Sequence, residues 1–220
     1  MRVYLVRHGE TDWNRAFKLQ GQSDIELNQI GEELAVITAD ALKDIRFDCI
    51  YSSPLSRAIT TAKILRGDRD LRIITDNRLI EIGFGDGEGG VIPRRDGDVS
   101  DPIYQFEFDT ENYIPPRGGE TFKEVYDRSS DFWDNVIVPL EGRYENVLII
   151  GHGCLNRTIL NRLMSVPLKN FWDIKLDNCA VSLIDIEEGI STVVESSVKY
   201  YSRDDKRFSF KSKEAAQIYG

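Results

Sequence analysis

Val3-Tyr4-Leu5-Val6-Arg7-His8-Gly9-Glu10-Thr11 and Val147-Leu148-Ile149-Ile150-Gly151-His152-Gly153 decide the reading of this chain. In each, four consecutive apolar residues run straight into a polar turn. Short, uninterrupted apolar runs of this kind are the pattern of buried parallel strands. A residue just past such a strand lies at its C-terminal end, where open α/β sheets place their ligand crevices. The chain contains two histidines in all, and both fall at these two strand ends beside glycine. One shared site accounts for that better than two unrelated structural histidines.

Signals of strand and helix alternate outward from these anchors. Asn28 predicts the cap of a helix with Leu34, Ile37, Ala41 and Leu42 on one face. Residues 48–51 read as a short strand. Ser53-Pro54 predicts an N-cap followed by proline at the first helical position, opening a helix to about Leu65. Residues 71–74 form the next expected strand. Thr121 to Glu124 matches a capping box, with a helix continuing to about Val138 and Gly142 beyond its end. Residues 154–164 read as a helix, and residues 180–197 as two strands joined at Glu188-Gly189. This alternation predicts an α/β fold: a three-layer α/β/α domain around a mainly parallel sheet. It would span residues 1–200, with a polar C-terminal tail at 201–220. Residues 83–119 show no sustained periodicity and are expected to form a lid-like insertion or a surface excursion.

Composition narrows the function. With 220 residues, 41% of them hydrophobic and 30% charged, the chain has the make-up of a globular domain able to bury a full core. A formal net charge of −9 argues against a nucleic-acid binder, whose footprint is basic. Three scattered cysteines, Cys49, Cys154 and Cys179, make neither a disulfide framework nor a zinc site, and the odd count suggests a reducing compartment. Charges at Arg7, Glu10 and Asp12 interrupt any secretory core, and no apolar run reaches membrane-spanning length. A cytoplasmic protein with no membrane association is expected.

The histidines have company suited to phosphate. Arg7 adjoins His8. Arg57, in Ser53-Pro54-Leu55-Ser56-Arg57-Ala58, is expected on the first turn of a helix at the same sheet edge, where a helix N-terminus would add unpaired N–H groups. Guanidinium groups present a planar fork that matches phosphate oxygens. Glu81 follows the third expected strand. Two arginines, two histidines and one carboxylate describe a phosphoryl-transfer site that calls for no metal and no other cofactor. Each of these residues alone would more often be structural; the set is what carries the reading. Cys154, without a basic partner of its own, reads as packing.

In these motifs the chain resembles the histidine phosphatase superfamily, which includes phosphoglycerate mutases and acid-type phosphatases. The resemblance rests on Arg7 to Asn14, Gln20-Gly21, Leu27 to Gly31, Ser53 to Ala58, Glu81 to Gly85, Gly118 to Thr121 and Gly151-His152-Gly153, in that order along the chain. It implies that His8 is the nucleophile, forming a phosphohistidine, and that Glu81 is the proton donor. It makes Arg7, Arg57, His152 and Gly153 a phosphate pocket lined by Asn14, Gln20 and Gly21. A small phosphorylated metabolite is the implied partner. Physical chemistry asks that His8 be neutral, that Glu81 start protonated, and that a protonated His152 join the arginines. In mutases of this family the proton-donor glutamate is followed by arginine and a Tyr-Gly pair. Here Ile82-Gly83-Phe84-Gly85 follows Glu81, which favours a phosphatase. A mutase, a phosphoprotein phosphatase and a non-catalytic binding module are the alternatives. Arg94 and Arg95 offer a second anion contact, countered by Asp96, Asp98 and Asp101. Phe106, Phe108 and Tyr113 either wall the substrate or pack the insertion.

Overall fold

The structure is a computed structural model that describes residues 1–93 and 95–202. The expected tail therefore falls almost wholly outside the described residues, as does Arg94.

Both anchor segments are strands. β1 (Arg2–Arg7) is followed by the single-turn helix α1 (Asp12–Arg15) and by α2 (Gln29–Ala41). β2 (Cys49–Ser52), α3 (Ser56–Arg66) and β3 (Ile73–Thr75) come next. α4 (Pro102–Phe108) and α5 (Phe122–Phe132) precede β4 (Asn146–Gly151). α6 (Gly153–Leu163) and the hairpin of β5 (Val181–Glu187) and β6 (Ile190–Val198) complete the order. The six strands lie in the order β3-β2-β4-β1-β5-β6. The four on the β3 side are parallel, and β5 and β6 add an antiparallel edge. The sheet is thus mainly parallel, as the alternation predicts.

Strand residues alternate between two buried layers. Val3, Leu5, Val147 and Ile149 pack towards α5 and α6, whereas Tyr4, Val6, Leu148 and Ile150 pack towards α2 and α3. These eight side chains are almost fully inaccessible. Burying each aliphatic one is worth about 1.5–3 kcal/mol, so β1 and β4 are pinned from both faces. Their register pairs Arg7 with Gly151, which brings the two histidine turns side by side.

Three details depart from the expectations. The helix after β2 starts at Ser56 with Leu55 as its cap residue, not at Pro54. Asp24, from a distant loop, accepts from Ser56 N at 2.7 Å, so a tertiary contact supplies the cap that Ser53 was expected to give. The insertion contains a helix, α4, capped by Asp101 with Pro102 at its first position. It is also no loose excursion. Phe106 packs against Phe84, Trp172 and Phe122 at centroid distances of 4.7, 5.0 and 5.4 Å. Such aromatic pairs add about 0.5–1.5 kcal/mol each beyond burial, and they fasten the insertion to the body. Phe106 and Tyr113 are core residues. Arg95 is exposed and lies over the Phe108 ring, 5.2 Å from its centroid.

Candidate active site

His8 follows β1 without breaking its pairing, since its N–H donates to Gly151 O at 3.0 Å. The chain then turns sharply against α2. A methyl group on Gly9 would stand 2.5 Å from Gly31 O, and one on Gly31 would stand 2.1 Å from Glu10 O. Only two glycines allow this backbone contact, which sets the His8 turn against the start of α2.

The tautomer of His8 follows from its partner. Nδ1 lies 2.6 Å from Gly9 O, an atom that can only accept, so Nδ1 carries the proton and Nε2 the lone pair. Burial, followed by the positive charges of Arg57 and Arg7, holds the imidazole well below its ordinary pKa. His8 is therefore neutral at pH 7 and presents a free Nε2. The His152 ring lies 5.1 Å away, centroid to centroid.

His152 is buried, and its Nδ1 accepts from Arg57 Nε at 3.3 Å. The neutral ring then carries its proton on Nε2, a buried atom with no partner among the described residues. Burial and the neighbouring guanidinium push its pKa well down. The expected protonated His152 thus gives way to a neutral ring that offers one donor.

Arg57 is fully buried and held by carbonyls: Nη2 donates to Gly21 O and Nη1 to Ser23 O, both at 2.7 Å. Gly21 adopts φ +54°, a conformation that favours glycine and aims its carbonyl at the guanidinium. Burial lowers the Arg57 pKa to about 10, so it remains a cation at neutral pH. Arg7 donates through Nη1 to Leu176 O at 2.6 Å, and its buried Nε has no partner among the described residues. Gly153, at the start of α6, lies beside that guanidinium.

Glu81 is buried against the same helix end. Its Oε1 accepts from Ile82 N and Leu155 N at 3.0 and 2.9 Å, and its Oε2 from Cys154 N at 3.1 Å. Oε2 has one of these partners and Oε1 two. Part of the helix-start N–H supply is taken: that of Ser56, expected to be unpaired, serves Asp24, and at the start of α6 those of Cys154 and Leu155 serve Glu81.

The lining residues divide. Gln20 is buried, with Oε1 unpartnered among the described residues. Asn14 caps α1 together with Thr11, and its Oδ1 accepts from Asn178 Nδ2 at 3.3 Å. Two other carboxylates near the site are engaged with neighbouring loops. Glu10 binds Asn28 Nδ2 at 2.9 Å, and Glu88 accepts from Gln22 N and Ser23 N, each at 2.8 Å. Cys154 is buried and its thiol pKa is pushed well up by burial and by Glu81, in keeping with packing.

Sequence reasoning missed two supports. Asn178 donates to His8 O and Gly9 O at 3.0 and 3.1 Å. Its one sequence signal is an asparagine in the turn before β5. Thr61, one turn after Arg57 on α3, accepts from Gly9 N at 3.0 Å and donates to Arg57 O at 2.7 Å. Among the described residues, no group of three or more His, Cys, Asp or Glu side chains is arranged to hold a metal ion. No described helix is long and apolar enough to cross a membrane.

Comparison with known proteins gives the same picture. Phosphoserine phosphatase 1 of Hydrogenobacter thermophilus is 29% identical over 206 residues, covering 90% of this chain and 92% of that protein. The probable phosphoglycerate mutase GpmB of Yersinia pestis is 33% identical over 188 residues, covering 86% of each. The structure of YhfR from Bacillus stearothermophilus superposes with a TM-score of 0.83 at 31% identity, over 90% of this chain and 98% of that one. The profile of the histidine phosphatase superfamily, branch 1, matches residues 3–198. The chain belongs to the histidine phosphatase superfamily.

Proposed function

We propose that the chain is a metal-independent phosphomonoester hydrolase acting on a small phosphorylated metabolite through a phosphohistidine. The observation that carries this reading is the locked tautomer of His8: a neutral ring with a bare Nε2, flanked by the guanidinium groups of Arg7 and the buried Arg57. Nε2 attacks phosphorus, and the bond from phosphorus to the leaving oxygen breaks. Arg7, Arg57 and the Nε2–H of His152 take the nonbridging oxygens, where charge is spread during transfer. Protonated Glu81 gives its proton to the leaving oxygen. Water then attacks the phosphoryl group, Glu81 takes a proton from it, and the bond to His8 breaks. Two arginines supply the charge stabilisation that metal ions provide in other phosphoryl-transfer sites.

Water as acceptor is favoured over a second substrate hydroxyl by the segment after Glu81. Ile82 is a core residue, so the position that carries arginine in the mutases of this family turns inward here. The relatives' names, a phosphoserine phosphatase and a probable phosphoglycerate mutase, support a small phosphorylated acid as substrate. Three unpaired buried cysteines fit a reducing compartment, and we place the enzyme in the cytoplasm.

The test is hydrolysis of p-nitrophenyl phosphate with and without a chelator, in wild type and His8→Ala. Activity that survives the chelator and vanishes in His8→Ala, with a base-stable, acid-labile phosphoenzyme in the wild type, supports the reading. Substantial turnover by His8→Ala overturns the nucleophile. Isomerisation of 3-phosphoglycerate faster than its hydrolysis would make the chain a mutase.

A further inference from the structure

Glu81 sits on backbone that no helix or strand holds, since residues 80–83 lie outside both. Ile82 within it is fully buried, so the polar groups of this backbone need partners other than water. An ion pair supplies them. Arg128, on α5, binds Glu120 with two hydrogen bonds, Nε to Oε1 at 2.9 Å and Nη2 to Oε2 at 3.0 Å. Its Nη1 also donates to Arg78 O at 2.9 Å and Ile80 O at 2.6 Å, and its Nη2 to Glu81 O at 3.1 Å. Glu120 completes the clasp: Oε2 accepts from Gly83 N and its own N–H donates to Gly83 O, both at 2.8 Å. Both side chains are largely buried, with 16% and 23% exposure.

Gln22 ties this clasp to the other half of the site. Its Nε2 donates to Glu120 Oε2 at 3.2 Å and Glu81 O at 3.3 Å. The carbonyls on either side of it, Gly21 O and Ser23 O, are the two that hold Arg57.

We propose that Arg128 and Glu120 are positioning residues for Glu81, and that Gln22 couples the proton donor to the loop that holds Arg57. This rests on the reading of Glu81 as the acid. The clasp grips the backbone at residues 78, 80, 81 and 83, and the carboxylate is aimed by Ile82 N within that segment and by two N–H groups of α6. Loosening the clasp moves the acid relative to the leaving oxygen while His8, Arg7 and His152 stay on their own strand ends.

Leaving-group dependence tests this. In kcat/KM only the steps up to phosphorylation of His8 count, so the later attack by water drops out. The ratio of kcat/KM for p-nitrophenyl phosphate to that for glycerol 2-phosphate then reads proton donation, because nitrophenolate leaves without a proton and an alkoxide does not. Glu81→Gln should raise the ratio by about a hundred- to ten-thousandfold. Glu120→Gln and Arg128→Lys should each raise it by about tenfold or more, a fraction of that range. Gln22→Ala removes an exposed side chain and leaves the ion pair, so it should stay folded and raise the ratio a few-fold. If both substrates lose efficiency in parallel in all three variants while Glu81→Gln shifts the ratio, the clasp is structural only and the proposal is wrong. If Glu120→Gln and Arg128→Lys do not fold, an unmoved ratio in Gln22→Ala overturns it. An unmoved ratio in Glu81→Gln itself removes Glu81 as the acid, and the inference falls with it.

Discussion

Lowering the pH from 6.5 to 5 should destabilise this protein through its two histidines, by an amount that can be worked out. Both imidazoles are held neutral in the fold by burial and by the neighbouring guanidinium groups. In the unfolded chain each takes a proton near pH 6.5. Below that pH the unfolded state binds more protons than the native state, so stability falls as pH falls, until the depressed folded pKa values are reached. For a group that stays neutral when folded, integration from pH 6.5 to 5 gives a loss of about 1.6 kcal/mol, or about 3.3 for the pair. Glu107 works in the opposite direction. Burial raises its pKa to about 7, so the native state gains protons first as pH drops. Over the same interval that returns about 1.7 kcal/mol, which leaves a net loss of about 1.6. Glu10, raised by burial, acts in the same direction as Glu107 and makes that figure an upper bound. Asp76 and Asp185, held low chiefly by their bonds to Arg78 and Arg2, lose their contribution only below about pH 4. The assay is urea unfolding at pH 6.5 and 5. Wild type should lose at most about 1.6 kcal/mol, and Glu107→Gln up to about 3.3. The double variant His8→Asn, His152→Asn should instead gain about 1.7 kcal/mol or more from the raised carboxyls. A wild-type profile identical to that of the double variant would show that the folded site protonates the imidazoles as readily as the unfolded chain does. The depressed pKa assigned to the two rings would then have no basis.

Other expectations are open to direct measurement. Arg57→Lys should cut kcat/KM by about a hundredfold or more, because one ammonium cannot hold Gly21 O, Ser23 O and a phosphate oxygen together; full activity in steady-state assays would reduce Arg57 to bulk charge. Gly31→Ala drives a methyl into Glu10 O and should cost about 1–3 kcal/mol by thermal or chemical unfolding, with activity lost as the His8 turn is displaced. Asn178→Ala strips the carbonyls of His8 and Gly9 of a shared donor and should cost about 1–3 kcal/mol. Its kcat should fall more than its KM rises, since the nucleophile is misplaced while the phosphate-binding arginines remain.

Much of this was legible in the sequence because the signals were local. Four-residue apolar runs marked β1 and β4, and the capping box at Thr121 marked the start of α5. Asn28 capped α2 as expected. What stayed hidden depended on partners distant in sequence. Asp24 took over a cap that Ser53 was expected to provide, and Asn178, more than 160 residues away, steadies the His8 turn. The helix in the insertion went unread because it is short and its one deep anchor, Phe106, gives no period. The charge state of His152 was misjudged for a related reason. Proximity to phosphate suggests a cation, but the hydrogen bond from Arg57 Nε requires a lone pair on Nδ1.

The pairing of Arg7 with Gly151 has a consequence for how such a site can change over time. Each histidine is the next residue along its strand, so the gap between the rings is set by the spacing of two hydrogen-bonded backbones, about 4.8 Å. The strand pair sets that distance coarsely, and Asn178 and Thr61 only trim it by steadying the His8 turn. A one-residue slip would turn every buried residue of β1 or β4 to the wrong layer, so intermediate spacings are inaccessible. The reacting geometry is in effect quantised by the peptide repeat, and the insertion and the turns around it are left to vary with the substrate.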